Sequence, residues 1–204
     1  MLIGERGLLD VQFLSMMHHP KRQIRVIGID DGPFTRQDKK VLVLGTIYRG
    51  GDFMDGLIST TVTRDGTDAT TKIVRMIAKS KFHDQIQYVL LNGIAVAGFN
   101  VINVRQLYEK LGIPILIVVR RMPDLLNIVQ VLRRLKMHRK IALIEQAGNV
   151  ERIGNVWVQR TGMTKERAEQ VLRITCTRSF NPEPIRIAHI IAAGIVKEES
   201  RGRA

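Results

Sequence analysis

The chain has 204 residues, of which 45% are hydrophobic and 25% charged, a composition that excludes a disordered or low-complexity protein. Its 32 Lys and Arg outnumber its 19 Asp and Glu, and the formal net charge of +13 favours a polyanionic partner, chiefly nucleic acid. Aromatic residues make up only 5% of the chain, which argues against a base-stacking platform of the single-strand-binding kind.

Cysteine content and apolar runs indicate a protein of a reducing compartment. Cys176 is the only cysteine, so the chain can form neither an internal disulfide nor a cysteine-based metal cluster. Apolar stretches such as Ile113 to Val119 are too short to cross a bilayer, and charged residues interrupt the only candidate for a secretory signal. We therefore expect a cytoplasmic protein with no membrane partner and no obligate protein partner.

The first 22 residues do not share the pattern of the rest of the chain. We interpret residues 1–22 as an N-terminal extension that could form a short helix, with Met16 or Met17 as an alternative start. Residues 23–204 are expected to form one domain.

The first predicted strand ends in two adjacent carboxylates. An apolar run leads from Val26 into Asp30 and Asp31, and Gly-Pro follows, so a short buried strand carries acidic groups into a turn. Side chains alternate along a regular strand, so Asp30 shares one face with Val26 and Gly28, whereas Asp31 lies on the other face. The two carboxylates therefore have different roles. One interpretation is a metal site, because a buried carboxylate needs a partner. The other is that both aspartates are solvated turn residues, because Asp-Asp-Gly-Pro also favours a turn.

Two further strands are predicted at residues 40–48 and 57–64, because both runs are rich in apolar and β-branched residues. The connection between them contains Gly50-Gly51. Together with the first strand, they predict an antiparallel meander.

A helix follows the third strand, with Thr67 or Asp68 as its N-cap. Asp65 and Asp68 therefore stand at a strand-to-helix junction. They either cap the helix and favour its dipole or complete an acidic cluster that begins at Asp30.

Two strand–helix units come next. The predicted strands are residues 87–91 and 113–119, and the helices run from about residue 103 to 111 and up to about residue 135. Three antiparallel strands followed by two such units predict an α/β fold with a mixed sheet and helices on both faces. Sites in such sheets lie at the carboxyl ends of strands, where the sequence has Asn92, Gly93, Arg120 and Arg121.

The last part of the chain is less regular. Short strands are predicted at residues 141–145 and 155–160, and a helix is predicted from an N-cap at Thr164 to Leu172. A final helix begins at Pro182 and carries a continuous apolar face. Its His189 lies on that face, where a histidine is more often a satisfied core residue than a catalyst.

Several motifs together resemble one family. The strand at residues 26–30, the segment LNGI and above all PEPIRIAH are similar to endonuclease V, and GIDDGPF, TVTRDGTDAT, GIAVAGFNV and PEPIRIAHIIA are closer still to the archaeal endonuclease dU family. The resemblance covers about residues 23–204. It implies a ribonuclease H-like fold and metal-dependent cleavage of DNA near a deaminated base, which is deoxyuridine for the closer family and deoxyinosine for endonuclease V.

The resemblance also implies a site for one or two Mg²⁺ or Mn²⁺ ions. Asp30 matches the first metal carboxylate, and Asp65 is the best match to the second acidic residue, with Asp68 in competition. Where endonuclease V has an aspartate after its fourth strand, this chain has Asn92, whose amide oxygen can ligate Mg²⁺ but brings no charge. The missing charge would have to come from Asp31 or Asp68.

Further residues follow from the same resemblance. His189 matches a motif histidine that would shuttle a proton or position water, and Arg120 or Arg121 falls where endonuclease V has a lysine and would hold the scissile phosphate. Inspection of a base requires that it be extruded. Tyr48 or Phe99 would then fill the gap, unless they pack in the core, and the glycine loops at residues 50–51 and 93–98 would approach the base.

Two other functions remain open at this point. Because Asn92 lacks a charge, the protein could be a non-catalytic nucleic-acid-binding protein with a decayed metal site. An RNA-directed nuclease is the other alternative.

Overall fold

The structure, a computed structural model, describes residues 24–200. The predicted N-terminal extension and its short helix lie outside these residues, and the domain boundary at residue 22 stays a prediction.

Seven strands form one mixed sheet in the order β3-β2-β1-β4-β7-β9-β8, while β5 and β6 form a separate hairpin. Strands β1, β2 and β3 are antiparallel, β1, β4 and β7 are parallel, and β9 and β8 add an antiparallel edge. The predicted meander and parallel units are thus confirmed. The strands are β1 (Arg25–Asp31), β2 (Lys40–Arg49), β3 (Phe53–Thr63), β4 (Tyr88–Asn92), β5 (Ala95–Val96), β6 (Asn100–Val101), β7 (Ile115–Val119), β8 (Glu151–Ile153) and β9 (Val156–Thr161).

Helices cover both faces of the sheet, as predicted. Helices α1 and α2 share an apolar cluster with one face of β1, and α5 and α6 share another with the opposite face. No helix between residues 24 and 200 has the length and apolar character needed to span a membrane. The helices are α1 (Ala69–Ala78), α2 (Val104–Leu111), α3 (Leu125–Arg134), α4 (His138–Gln146), α5 (Lys165–Thr175) and α6 (Glu183–Lys197).

Alternation along β1 assigns its side chains to the two faces. Ile27 and Ile29 pack in the cluster of α1 and α2, whereas Val26 packs in the cluster of α5 and α6. The pleat of a strand requires this division, which sends Asp30 to the α6 face and Asp31 to the other.

Helix α6 packs directly over β1 and β2 at Gly28. A Cβ atom at this position would overlap the backbone of Pro184 and Ile185, so only glycine permits such a close approach. The Thr46 hydroxyl, on the neighbouring strand, donates a buried 2.6 Å hydrogen bond to the Pro184 carbonyl. The first turn of α6 is therefore fixed to the centre of the sheet.

The prediction of a strand at residues 141–145 is wrong, because this segment lies inside α4. Ile141 and Ile144 are buried on one face of that helix and pack with Leu132 of α3. A short apolar run of five residues fits a strand as well as a helix. The spacing of Ile141 and Ile144 identifies a helix only once α3 is known to cover them. The predictions of a strand near residues 155–160 and of a cap at Thr164 are confirmed, and Thr164 Oγ1 accepts from the Arg167 amide.

Replacing Gly28 with Ala should destabilise the protein by about 3 kcal/mol, because the added methyl group meets backbone rather than a flexible side chain. The matched control is Gly194→Ala in α6, where a Cβ atom meets nothing within 4 Å, and this change should stabilise by roughly 0.5–1 kcal/mol. Urea denaturation measures both. Equal stability of Gly28→Ala and the wild type would contradict the close packing.

Candidate active site

The carboxyl ends of β1 and β4 open into a hollow of about 360 Å³. Parallel strands present these ends at the same edge of a sheet, so residues that are distant in sequence meet here. The lining residues are Asp30, Asp31, Gly32, Pro33, Phe34, Asn92, His189, Ala193 and Lys197.

Asp30 is paired with His189 in this hollow. The Asp30 carboxylate is 3% exposed, its Oδ1 accepts from the Asp31 amide at 2.9 Å, and its Oδ2 lies 2.9 Å from His189 Nδ1. A carboxylate only accepts hydrogen bonds, so His189 donates through Nδ1. This bond raises the pKa of His189 above its ordinary value, partly opposed by burial and helped by the Asp30 charge.

Helix geometry explains how His189 reaches the hollow. Residues four apart lie on the same helical face, and His189, Ala193 and Lys197 all line the hollow at this spacing. The His189 side chain is 41% exposed, so the interpretation of a satisfied core histidine is wrong.

Asp31 faces the other side of the hollow. Its Oδ2 accepts from the Ala97 amide at 2.7 Å, which ties β1 to the hairpin of β5 and β6. Burial raises the pKa of Asp31 to about 6, the Ala97 hydrogen bond opposes this, and the charge of Asp30 raises it further. Asp31 is therefore a partly buried, hydrogen-bonded carboxylate with a raised pKa and not a solvated turn residue.

Asn92 ends β4 and lines the same hollow, next to Gly93. The Gly93 amide, at a φ of +84°, donates to Leu91 and Val118 carbonyls. The backbone donor of Gly93 is thus already used within the sheet edge.

Asp65 is not among the residues that line this hollow; it lines a second one of about 350 Å³, together with Phe34, Thr35, Arg36 and Arg64. Its amide donates to the Ala97 carbonyl, and its Oδ1 accepts from the Phe99 amide at 2.8 Å. The loop at residues 97–99 therefore joins Asp31 to Asp65. Phe34 lines both hollows.

Asp68 is held in the scaffold. Its carboxylate accepts from the Thr63 amide and hydroxyl and from Asn100 Nδ2. Burial raises the pKa of Asp68, but these hydrogen bonds outweigh it and leave the pKa below its ordinary value. Asp68 occupies the N-cap position of α1, as predicted, without a side-chain capping bond, and it lines neither hollow.

No group of three or more His, Cys, Asp or Glu side chains within residues 24–200 is arranged to hold a metal ion by itself. The oxygen donors that do meet in the first hollow are two carboxylates and one amide, from Asp30, Asp31 and Asn92.

The two predicted arginines follow the end of β7 and are exposed. The positive charge of Arg120 lowers the pKa of His189, although less than Asp30 raises it. Arg120 therefore lies within electrostatic reach of the imidazole. Arg121 is the next residue along the chain.

The predicted base-contacting role of Tyr48 is wrong. Tyr48 is 7% exposed and packs with Val26 and Tyr88, and it pairs with Val26 at the end of β1 opposite Asp30. The loop at residues 50–51 lies at that same far end, against the Thr175 carbonyl. Antiparallel register places both away from the hollow, so the alternative of core packing holds for Tyr48.

Phe99 is half-buried and packs against the cluster of α3 and α4. Its side chain belongs to the scaffold, and its amide holds Asp65.

Sequence reasoning missed Phe34 and Lys197, which both line the first hollow. Helical spacing from His189 would have identified Lys197. Phe34 follows the predicted carboxylates by only a few residues, in a turn that the sequence shows but does not orient.

The seven-stranded mixed sheet with helices on both faces is a ribonuclease H-like fold. The structure is similar to Ciona intestinalis endonuclease V in complex with a 24mer DNA containing an inosine followed by a ribo-adenosine (TM-score 0.57, 13% identity, 94% of this chain and 99% of that chain covered). The family model described as endonuclease dU matches residues 22–196, and the chain belongs to this family. Family membership supports a nuclease.

Two further relatives match nearly their whole length. UPF0215 protein Mbar_A0619 of Methanosarcina barkeri is 42% identical over 196 residues, which covers 94% of this chain and all of the relative. A crystal structure of a protein of unknown function from Archaeoglobus fulgidus superposes with a TM-score of 0.80 at 34% identity, covering 85% of this chain and 98% of that chain.

Asp31→Asn should stabilise the protein above pH 6 by at most about 3 kcal/mol in a chelating buffer. The pKa of Asp31 is higher in the folded state than in the unfolded state, so the native state binds more protons between pH 3.8 and about 6. The stability of the wild type therefore falls as pH rises through this window. The asparagine oxygen can still accept from Ala97. Thermal unfolding at pH 3.5 and pH 8 measures the effect.

The exposed Asp52, in the turn between β2 and β3, provides the matched control Asp52→Asn, which should change stability little at either pH. A gain for Asp31→Asn of equal size at both pH values would contradict the raised pKa of this partly buried carboxylate.

Proposed function

We propose that this protein is a metal-dependent endonuclease that hydrolyses a DNA phosphodiester near a deaminated base, with deoxyuridine as the preferred lesion. The observation that carries the proposal is the buried Asp30 carboxylate, hydrogen-bonded to a half-exposed His189 in an open hollow at the carboxyl edge of the sheet. Membership of the endonuclease dU family supplies the lesion, and the endonuclease V complex with DNA supports nucleic acid as the partner.

The residues of the first hollow fit a hard divalent cation. Asp30, Asp31 and Asn92 offer only oxygen donors, which suit Mg²⁺ or Mn²⁺. Mg²⁺ sites commonly use one or two carboxylates and complete the coordination with water and substrate phosphates. Burial, and to a lesser extent the charge of Asp30, raises the pKa of Asp31, and a cation bound at the two carboxylates would offset both costs.

The division of chemical roles follows from the geometry. Asp30 holds His189 at Nδ1, which leaves Nε2 free to pass a proton to or from a phosphodiester oxygen. Arg120, whose charge acts on the same ring, binds a nonbridging phosphate oxygen, with Arg121 beside it. When bound, Mg²⁺ or Mn²⁺ supplies an activated water and neutralises charge on the leaving oxygen.

Asp65 is assigned the supporting acidic role in preference to Asp68. Asp65 lines the second hollow, where Oδ1 accepts from the Phe99 amide and Oδ2 lies 3.4 Å from Arg64 Nε. Asp68 lines neither hollow, and its carboxylate is held by Thr63 and Asn100. The scaffold role of Asp68 leaves Asp31 as the source of the charge that Asn92 lacks.

Cleavage of labelled oligonucleotides tests the proposal. DNA with a single deoxyuridine should be cut in the presence of Mg²⁺ or Mn²⁺ and not in EDTA, and Asp30→Ala should reduce the rate by at least about 100-fold because the histidine and the cation lose their anchor. The matched control Asp52→Ala removes an exposed carboxylate at the opposite end of the sheet and should cut normally.

Parallel substrates decide between the alternatives. Preference for deoxyinosine or for ribonucleotides would overturn the deoxyuridine assignment. Binding without cleavage, unchanged by Asp30→Ala and by chelation, would establish the non-catalytic alternative.

The α3–α4 hairpin supplies a basic surface for the DNA backbone. The exposed side chains of Arg133, Arg134, Lys136 and Arg139 form no ion pair within residues 24–200. Lys140, in the same run, is buried and donates to the Asp65 carbonyl at 2.6 Å. The hairpin is thus tied to the edge of the sheet that carries the site.

Replacing both Arg133 and Arg134 with Gln should weaken DNA binding and reduce its salt dependence. For each phosphate that the protein no longer neutralises, the slope of log K against log salt should fall by about 0.9 for duplex DNA. The control pair Lys110→Gln and Lys165→Gln removes exposed cations at the opposite edge of the sheet and should leave the slope unchanged. Fluorescence anisotropy over a roughly sixfold range of salt concentration measures the slopes, and equal slopes for both pairs would exclude the hairpin as the docking surface.

A further inference from the structure

Phe34 has no structural role that explains its position. The residue is 38% exposed and belongs to none of the apolar clusters of residues 24–200. Phe34 nevertheless lines both hollows, one together with Asp30 and His189 and the other together with Arg64 and Asp65. An exposed aromatic residue thus stands between the two hollows and is accessible to a ligand in either.

The loop that carries Phe34 is held from both sides. Asp38 accepts from the Thr35 amide at 2.6 Å and from the Thr35 hydroxyl at 2.8 Å, and these bonds lower the pKa of Asp38. The Arg64 guanidinium donates to the carbonyls of Thr35 and Arg36. A ring on a loop with these bonds loses little conformational freedom when a ligand stacks on it.

We propose that Phe34 is a stacking site for one unpaired nucleobase, that of the nucleotide next to the phosphate bound at Asp30 and His189. This inference rests on the proposed function, because a phosphodiester in the first hollow places neighbouring nucleotides over the adjacent surface. The second hollow, about 350 Å³ in volume, gives room beside the ring, and its arginines and Asp65 offer donors and acceptors to a base edge. Every base has an aromatic face, so such a contact is tolerant of sequence.

Phe34 acts on binding rather than on bond cleavage. Stacking on one aromatic ring contributes a roughly 5- to 100-fold gain in affinity, and it requires a base rather than a phosphate. Loss of the ring and loss of the base should therefore have the same effect, and the two losses should not add.

A double-mutant cycle tests this on the full chain. The probes are two fluorescein-labelled single strands that differ only in that one carries deoxyuridine and the other an abasic site at the same position. Both are titrated with Asp30→Asn protein, which keeps the strand intact, with and without Phe34→Ala. We expect Phe34→Ala to weaken binding of the deoxyuridine strand by at least about 5-fold and to leave binding of the abasic strand unchanged.

Two variants control the result. Phe34→Trp keeps an aromatic face and should retain the affinity, which also shows that the loop folds when this position changes. Phe53→Ala removes another exposed aromatic ring, on β3 at the end of the sheet opposite the hollows, and should have no effect on either probe.

Equal losses on both probes, or no loss on either, would overturn the stacking site. Failure of the unmodified protein to cleave any strand would instead overturn the proposed function. The binding titrations do not require cleavage and would still measure the contribution of Phe34 in that case, so the two failures are distinguishable.

Discussion

The contact between α6 and β1 at Gly28 sets the geometry on which the candidate site depends. Without a Cβ atom at residue 28, the backbone of Pro184 rests on the strand, and the buried hydrogen bond from Thr46 fixes it there. His189 lies just over one helical turn beyond Ile185, so the position of this first turn decides whether the imidazole reaches Asp30. The 2.9 Å bond between His189 and Asp30 is the outcome, and a helix displaced by the width of a methyl group would break it.

The two carboxylates at the end of β1 are held by different halves of the fold. Alternation along the strand gives Asp30 to α6 and Asp31 to the β5–β6 hairpin, whose Ala97 amide is its donor. Each layer of the protein thus contributes one hydrogen bond to the hollow. The Ala97 hydrogen bond does not cancel the cost of burying the Asp31 carboxylate, to which the charge of Asp30 adds, and the pKa of Asp31 is therefore raised to about 6. Such perturbed groups concentrate at functional sites.

The hydrophobic pattern of each segment was sufficient to predict most strands of the sheet and the two faces of β1, because the alternation of side chains is a property of the segment itself. It failed where distant contacts decide. The segment at 141–145 is a helix because α3 provides a partner for its face, and Tyr48 is remote from the hollow because the antiparallel register pairs it with Val26. The choice between Asp65 and Asp68 depends on Asn100 and the loop at 97–99, which reach them from another part of the chain.

The amide at Asn92 is consistent with an active site once the position of Asp31 is known. A third carboxylate in this hollow would place a like charge close to two others. The repulsion between two like unit charges about 4 Å apart costs about 4 kcal/mol in a medium typical of a protein surface. Burial and the charge of Asp30 already raise the pKa of Asp31 to about 6, and a further carboxylate at position 92 would raise it again. With an amide there, the hollow keeps two carboxylates, the number that Mg²⁺ sites commonly use. Under the proposed function, the negative charge has moved from the end of β4 to the end of β1 rather than been lost.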